Sequence, residues 1–110
     1  MMSLYGQYIR ELGQGDIVET EYGFATYFFT EANECYIQDI YIVPEARKQH
    51  KASDIAAIIE NVARKKGCIR LLGSVVPTNK GSTASIKVLL AYGFHLKSAS
   101  QNFLLFEKGL

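Results

Sequence analysis

The fold is decided by residues 43–54, VPEARKQHKASD, where an apolar run ends at a proline and a basic loop leads into an amphipathic pattern. Pro44 ends a strand because its ring nitrogen has no hydrogen to donate across a sheet. The loop carries Arg47, Lys48 and Lys51 against a single acid. A helix that begins directly after a strand presents unpaired N–H groups and a positive dipole end, which attract phosphate. The junction therefore predicts a site for a polyanionic ligand, although a solvated basic turn would give the same pattern.

Length and composition predict one globular domain over residues 1–110. Apolar residues make up 48% of the chain, and the formal net charge is +1, so disorder and a general nucleic-acid-binding coat are poorly supported. No apolar run approaches the roughly 20 residues of a membrane span, and residues 1–12 lack the features of a secretory signal. We therefore expect a cytoplasmic protein that does not bind a membrane. Cys35 and Cys68 form no recognisable metal or redox motif, so no metal site is predicted.

Before the junction, the pattern predicts a short helix over residues 1–12, although a strand is also compatible with it. A turn over 13–16 leads into a hairpin of strands 17–20 and 24–29. Residues 35–43 are rich in β-branched and aromatic types and predict a central strand that ends at Pro44. Because side chains alternate along a strand, Asp39 should share a face with Tyr41 and Val43.

After the junction, apolar residues at helical spacing predict a helix that begins at Ser53 and ends before Gly67. Its expected inner face is Ile55, Ile58, Ile59, Val62 and Ala63. A parallel strand over 68–76 follows, then a loop and a helix from Ser82, as its cap, to Tyr92. Either Ala84, Val88 and Ala91 or Ile86, Leu89 and Leu90 should face inward. A final hairpin pairs 94–97 with 102–107 around a turn at 98–101.

This order predicts an α/β (α+β) fold, in which a mixed, mostly antiparallel sheet has a central parallel strand pair and flanking helices. Residues 39–52, together with Tyr92, Gly93 and Phe94, resemble the GNAT superfamily of acyl-CoA-dependent N-acyltransferases. In that family a strand ending in Val, often followed by Pro, precedes Arg/Gln-x-x-Gly-x-Gly/Ala, whose amides hold the coenzyme A pyrophosphate. Arg47 and Ala52 match the first and last positions.

The middle glycine of the motif is replaced by His50. Glycine there would let the backbone approach the pyrophosphate and adopt any φ, whereas a histidine adds a Cβ and a ring. The ring would either obstruct the ligand or point outward and donate an N–H to a phosphate.

The resemblance implies acetyl-CoA or another acyl-CoA as cofactor. It implies that strand amides near Ile42 and Val43 polarise the thioester carbonyl. The residues expected to bind the cofactor are Ile42, Val43, Arg47, Lys48, Gln49, His50, Lys51, Ala52, Ser53, Asn79 and Ser82.

The resemblance also implies attack of an unidentified amine on the thioester, aided by a base and a general acid. Asp39 is the candidate base or amine-orienting group, although a strand acid can equally serve to meet a cation or turn N–H. The tyrosine that the family commonly places four residues before the Gly-Phe pair is Leu89 here. Tyr41 and Tyr92 are the candidate acids, although a buried tyrosine with a hydrogen-bonded hydroxyl has the same signature.

Family members usually begin with a strand and two helices that wall the acceptor site, whereas about fifteen residues precede the first hairpin here. The acceptor cleft is therefore expected to be open, completed by a second subunit, or absent. An inactive coenzyme A-binding or protein-interaction module, with a homodimer covering the exposed surface, is the alternative function. Nucleic-acid binding through the basic loop is weaker, because charge elsewhere is balanced.

Overall fold

One six-stranded mixed sheet, flanked by three helices, organises residues 3–13 and 15–110, the part of the chain that the computed structural model describes. The strand order is β1-β2-β3-β4-β6-β5; β3 and β4 run parallel, and the other neighbouring pairs run antiparallel. This confirms the predicted fold class. The elements are α1 (Leu4–Leu12), β1 (Asp16–Thr20), β2 (Gly23–Phe29), β3 (Glu34–Ile42), a 3-10 turn (Pro44–Ala46), α2 (Lys51–Lys65), β4 (Arg70–Val75), α3 (Ser82–Ala91), β5 (His95–Ser100) and β6 (Phe103–Gly109).

Helix α1 confirms the helical alternative for the N-terminal segment. The Ser3 hydroxyl accepts a hydrogen bond from the Gly6 amide at 2.9 Å, and Gly13 ends the helix in the left-handed conformation at φ 70°. Gln14, within the predicted turn, and Met1 and Met2, within the predicted helix, lie outside the described residues.

Helix α2 begins at Lys51, two residues earlier than the predicted start at Ser53. The difference arises because Lys48 and His50 take positive φ values of 63° and 62°, which turn the chain sharply enough for the helix to start at once. The His50 carbonyl accepts the first helical bond, from the Asp54 amide at 3.1 Å. Four side chains of the helix are fully buried: Ile55, Ala56, Ile59 and Ala63. Ile58 is 43% exposed, so its predicted inward orientation is wrong.

Helix α3 lies shallowly on the sheet and has no fully buried residue. Ile86 and Leu89 pack against the core, whereas Leu90 is 53% exposed, so neither predicted inward set is right as a whole. Gly81 precedes the helix at φ 82°, and Ser82 is its first residue, not its cap. The Ser82 hydroxyl donates instead to the Pro77 carbonyl at 2.7 Å.

The C-terminal hairpin turns at residues 101–102, later than the predicted turn at 98–101. Asn102 supplies a positive φ of 56°, which a tight two-residue turn requires. Every residue of β5 is exposed, so the strand has no apolar alternation from which its length could be predicted.

A β-bulge in the middle of β3 controls the centre of the sheet. Thr26 pairs with Asp39, but Tyr27 pairs with Ile37, which leaves Gln38 as the extra residue. Asp39 therefore shares a face with Tyr41, as predicted, because alternation is unbroken after the bulge. Residues 34–37 of β3 pair with 70–73 of β4, and beyond this point the two strands separate. The separation opens the sheet between its two central strands.

Candidate functional site

The gap between β3 and β4 forms a cleft of about 1410 Å³. Its walls are the second half of β3, the start of α2, the end of β4, the turn before α3 and one side of α3. They comprise residues 37–42, 46–48, 50–53, 73–76, 79–85, 87–89 and 91. A cleft with one strand edge on each side and two helix starts above it is shaped for an elongated ligand with an anionic end.

The narrow end of the cleft is fixed by polar contacts between β3 and β4. The Arg70 guanidinium donates to Glu34 at 2.7 Å and holds the pKa of that carboxyl below its usual range. The Tyr36 hydroxyl hydrogen-bonds the Ser74 hydroxyl across the point where the strands part. These contacts keep the paired part of the strands together while the remainder diverges.

Backbone groups of β3 form one edge of the cleft. The Val43 amide donates to the Tyr22 carbonyl at 2.9 Å, so it points toward β2 and is engaged within the sheet. Because backbone groups alternate between the two edges of a strand, those of Ile40 and Ile42 point into the cleft. The Ile42 carbonyl there accepts a hydrogen bond from Arg47 Nε at 2.9 Å. Of the two amides expected to polarise a carbonyl, the one at Ile42 therefore faces the cleft.

The start of α2 presents free donors to the cleft. Within the described ranges no side chain caps this helix, and its first amides, from Lys51 to Ser53, have no intrahelical partner. His50 precedes them in the left-handed conformation, at φ 62° and ψ 19°, which glycine adopts without strain. The histidine thus holds, with strain, a backbone conformation that glycine would adopt freely.

Positive charge dominates the cleft walls. Among the described lining residues, five are cations, Arg47, Lys48, Lys51, Lys80 and Lys87, and one is a carboxylate, Asp39. The Arg47 guanidinium lies 5.7 Å from the centre of the Tyr41 ring, and Lys51 Nζ lies 4.1 Å from that of Tyr22. Such cation–π contacts hold the side chains over the cleft rim. The field favours an anion.

Most predicted site residues meet in this cleft. Its lining includes Asp39, Tyr41, Ile42, Arg47, Lys48, His50, Lys51, Ala52, Ser53, Asn79 and Ser82. Val43 and Gln49 are outside the lining, and the Gln49 amide donates to the Glu45 carbonyl at 3.1 Å.

Tyr92 lies away from the cleft, directly after the last residue of α3. Its hydroxyl donates to Glu60 at 3.2 Å, and Lys108 Nζ lies 3.9 Å from the centre of its ring. Burial and the Glu60 carboxylate raise the pKa of Tyr92 to about 12. These contacts give the residue a role in joining α2, α3 and β6.

Sequence reasoning did not single out Gln38, Ser74, Lys80 or Lys87 as site residues, although all four line the cleft. The bulge at Gln38 depends on the register between β2 and β3. The sequence of β3 alone does not indicate that register. Lys80 and Lys87 flank the start of α3, and their proximity to the basic loop follows only from the crossover topology. The sequence signal that could have identified these two lysines is the positive charge near the predicted start of the second helix.

Asp39 stands at the boundary between the cleft and a second cavity of about 480 Å³ beneath α1. The hydroxyl of Thr26, which is 2% exposed, donates to Asp39 Oδ2 at 3.3 Å. The carboxylate is otherwise exposed, so it is accessible from both sides. No set of three or more potential metal ligands clusters among the described residues, and none of the described helices is long and apolar enough to cross a membrane.

Comparison with known proteins places these features in a family. Residues 16–94 match the model of the acetyltransferase (GNAT) family. Thialysine N-epsilon-acetyltransferase from Bos taurus is 34% identical over 71 residues, covering 61% of this chain and 42% of that protein. The chain therefore spans less than half the length of this curated relative.

Solved structures of low sequence identity share the fold. PaiA N-acetyltransferase from Thermoplasma acidophilum, in complex with coenzyme A, superimposes with a TM-score of 0.71 at 18% identity, over 81% of this chain and 54% of that one. An acetyltransferase from Bacillus subtilis, in complex with coenzyme A, gives 0.72 at 13% identity, over 94% and 83%. The family match extends from β1 through the cleft to Phe94, well over half of the sequence. The chain belongs to the acetyltransferase (GNAT) family.

Proposed function

We propose that this chain binds acetyl-CoA or another acyl-CoA in the cleft between β3 and β4 and transfers the acyl group to an amine. One observation carries the proposal: an uncapped helix start, five cations and a free strand edge all converge on one elongated cleft. Coenzyme A has the matching chemistry, because a pyrophosphate needs amides and cations, and its amide-containing arm can pair with a strand edge.

Two groups of residues, one on each wall of the cleft, match the chemistry of the cofactor. The amides of Lys51, Ala52 and Ser53, with the charges of Arg47 and Lys48, would hold the pyrophosphate. Asn79 and Ser82 lie on the opposite wall, where the turn before α3 is held by hydrogen bonds from the Asn79 amide to Val76 and from the Ser82 amide to Asn79. Both walls thus offer polar partners to one ligand.

When bound, acyl-CoA supplies an acyl carbon that a neutral amine attacks, so that a C–N bond forms, the C–S bond breaks and the thiol leaves. Asp39 has two tasks in this reaction: it orients the incoming ammonium, and it accepts the proton that the nitrogen loses on attack. Before the attack, the ammonium loses one proton to water through the open cleft and becomes the neutral amine. The Ile42 amide, which points into the cleft, is the donor available to polarise a carbonyl.

Tyr41 is the better placed candidate for the acid that protonates the leaving thiolate. Its ring lines the cleft on the same face of β3 as Asp39, beside Arg47. The hydroxyl of Tyr92, in contrast, is committed to Glu60, and its raised pKa makes it a poor proton donor.

A catalytically inactive coenzyme A-binding module remains the second candidate, and one observation favours it. His50 occupies a left-handed backbone position and lines the cleft, and an imidazole that points into the cleft would narrow the pyrophosphate site. A homodimer in the cytoplasm would suit this module, because Leu4, Tyr8 and Leu12 form an exposed apolar stripe on α1.

The deciding experiment pairs calorimetric titration with acetyl-CoA against release of free thiol in the presence of an amine panel. We expect binding in the micromolar range and amine-dependent thiol release. Binding without release would favour the inactive module, and no binding at millimolar cofactor would contradict both.

Substitution of Asp39→Asn tests its assigned role. We expect kcat/KM for the amine to fall by at least about tenfold, since general-base assistance contributes about 10²- to 10⁴-fold. Affinity for acetyl-CoA should stay the same, because the carboxylate lies away from the basic loop. An unchanged amine rate would remove Asp39 from the mechanism.

A further inference from the structure

A second cavity lies on the other side of Asp39 from the cleft, between helix α1 and the sheet. Its volume of about 480 Å³ falls within the range of small-molecule sites. Gln38 and Asp39 line both this cavity and the cleft, so the bulge of β3 forms a wall common to the two spaces. A molecule in this α1 cavity would therefore meet Asp39 at the end nearest the cleft.

Half of the residues that line the α1 cavity are apolar or aromatic, namely Tyr5, Ile9, Leu12, Tyr27 and Phe28. Helix α1 contributes Tyr5 and Ile9 to this lining, and β2 contributes Phe28. Tyr5 is held in place by an edge-to-face contact with Phe24, with ring centroids 5.4 Å apart, and Phe28 stacks on Tyr36 at 5.2 Å. These paired rings give the cavity fixed apolar walls.

The charged groups that line the α1 cavity are carboxylates, and one of them is available to pair with a ligand. The described lining contains no lysine, arginine or histidine and has two carboxylates, Asp16 and Asp39. Asp16 already accepts hydrogen bonds from Arg10 Nε and from the Ile17 amide, both at 2.8 Å. Within residues 3–13 and 15–110, Asp39 accepts a hydrogen bond only from the Thr26 hydroxyl, so it is the carboxylate left to pair with a ligand cation.

From these features we infer that the α1 cavity is the acceptor pocket and selects a small primary amine with one positive charge and an apolar or aromatic body. The ammonium pairs with Asp39 beside the cleft, and the body lies between Tyr5, Ile9 and Phe28. Acceptors that carry a carboxylate or a phosphate are repelled, because no described cation lines the cavity. Acceptors with a second ammonium gain nothing, because Asp16 is already neutralised by Arg10. The assignment of an acceptor rests on the proposed acyl transfer, but the pocket itself does not.

Binding of the amine alone separates the pocket from the proposed function. Saturation-transfer NMR with 2-phenylethylamine, without cofactor, should give a signal, and 2-phenylethanol, its uncharged analogue, should give one at least about fivefold weaker. Asp39→Asn should abolish that difference, as the variant removes the charge from an exposed side chain and leaves the fold intact. Equal signals for the two probes on the wild-type protein would overturn the inference.

A variant that fills the cavity provides the second test. Ile9→Trp should abolish the 2-phenylethylamine signal and raise its KM in thiol release at least tenfold, with acetyl-CoA affinity unchanged. Leu4→Trp is the matched control, because Leu4 lies on the same helix, is 84% exposed and is outside the cavity lining; it should change neither.

The outcomes distinguish failure of the proposed enzyme activity from failure of the pocket assignment. Amine binding that Ile9→Trp removes, without thiol release in the wild type, would retain the pocket and contradict the proposed enzyme. Retained binding in a folded Ile9→Trp variant, or turnover of putrescine or lysine at least as efficient as that of 2-phenylethylamine, would overturn the pocket. If Ile9→Trp fails to fold, the Asp39→Asn comparison decides the result.

Discussion

Both halves of β3 pair with β2, but only the first half also pairs with β4. In the closed half, residues 34–37, the strand pairs with β4 and is tied to it by the Glu34–Arg70 ion pair. In the open half, residues 38–42, the strand no longer pairs with β4, and this change coincides with the bulge at Gln38. The strand edge that is left free lines the cleft. The closed half contributes to stability, and the open half leaves backbone donors free for a ligand.

Helix starts differ in the same way. Ser3 caps α1 and satisfies the Gly6 amide, whereas α2 begins without a side-chain cap and has cations around it. A helix start without a cap costs stability that a capping side chain would supply. At α2 this deficit lies where a phosphate could offset it, so stability and binding should respond differently to changes in the two halves.

The largest expected effect comes from adding a negative charge to the open half. Ser53→Glu places a carboxylate in the first turn of α2, where it interacts favourably with the helix dipole and raises stability by about 0.5 kcal/mol. The same charge should repel a pyrophosphate by about 1 to 4 kcal/mol, so that acetyl-CoA affinity falls at least tenfold. Thermal unfolding and calorimetry on the same samples measure both effects.

Ser53→Gln is the matched control for size, and it should alter affinity much less than the charged variant. Equal affinity of Ser53→Glu and the wild type for acetyl-CoA would mean that the α2 start is not the anion site.

Removing the ion pair of the closed half should have a smaller effect, and on stability alone. Glu34→Gln should lower the free energy of unfolding by about 1.5 kcal/mol at pH 7, a usual value for a charge-assisted hydrogen bond. Because Arg70 depresses the pKa of Glu34, its contribution is present above the ordinary value of 4.5 and is lost as the pH falls below it. The gap between wild type and variant should therefore close in acid.

Urea titrations at pH 7 and pH 3 check this expectation, with the exposed turn carboxylate Glu31→Gln as control. A stability gap that is as large at pH 3 as at pH 7, or a loss of acetyl-CoA affinity at pH 7, would contradict the separation of the two halves.

The smallest expected effect concerns His50. His50→Gly should stabilise the protein by at most about 1 kcal/mol, because relief of the left-handed strain is partly cancelled by the added freedom of the unfolded chain. Acetyl-CoA affinity should be equal or higher, since the ring no longer narrows the cleft. His50→Ala keeps the strain while removing the ring, so it separates the two effects. A clear loss of affinity in both variants would show that the imidazole contacts the ligand.

Local signals were enough to predict much of the fold. Pro44 marks the end of β3, the apolar spacing from Ile55 to Ala63 marks α2, and Gly67 and Gly93 mark the helix ends. The strand–helix–strand order then required a parallel central pair, which the structure confirms. The basic loop and most of its neighbours in the cleft could be named from the resemblance.

Features that depend on distant partners could not be predicted. The bulge at Gln38 is set by the register with β2, and the orientation of Tyr92 by Glu60 and Lys108 on two other elements. The α1 cavity likewise requires packing of Tyr5 and Ile9 over β2, for which the sequence offers no spacing rule. The start of α2 at Lys51 follows from left-handed residues at positions where glycine would be expected.

The central claim is that coenzyme A occupies the open half of β3 and the uncapped start of α2. Amide chemical-shift mapping by NMR during titration with acetyl-CoA tests it most directly. We predict saturable shifts at Ile40, Ile42 and residues 51–53, with little change at Ser3–Gly6 or residues 34–37. Absence of shifts at millimolar cofactor, or shifts centred away from the cleft, would contradict the account.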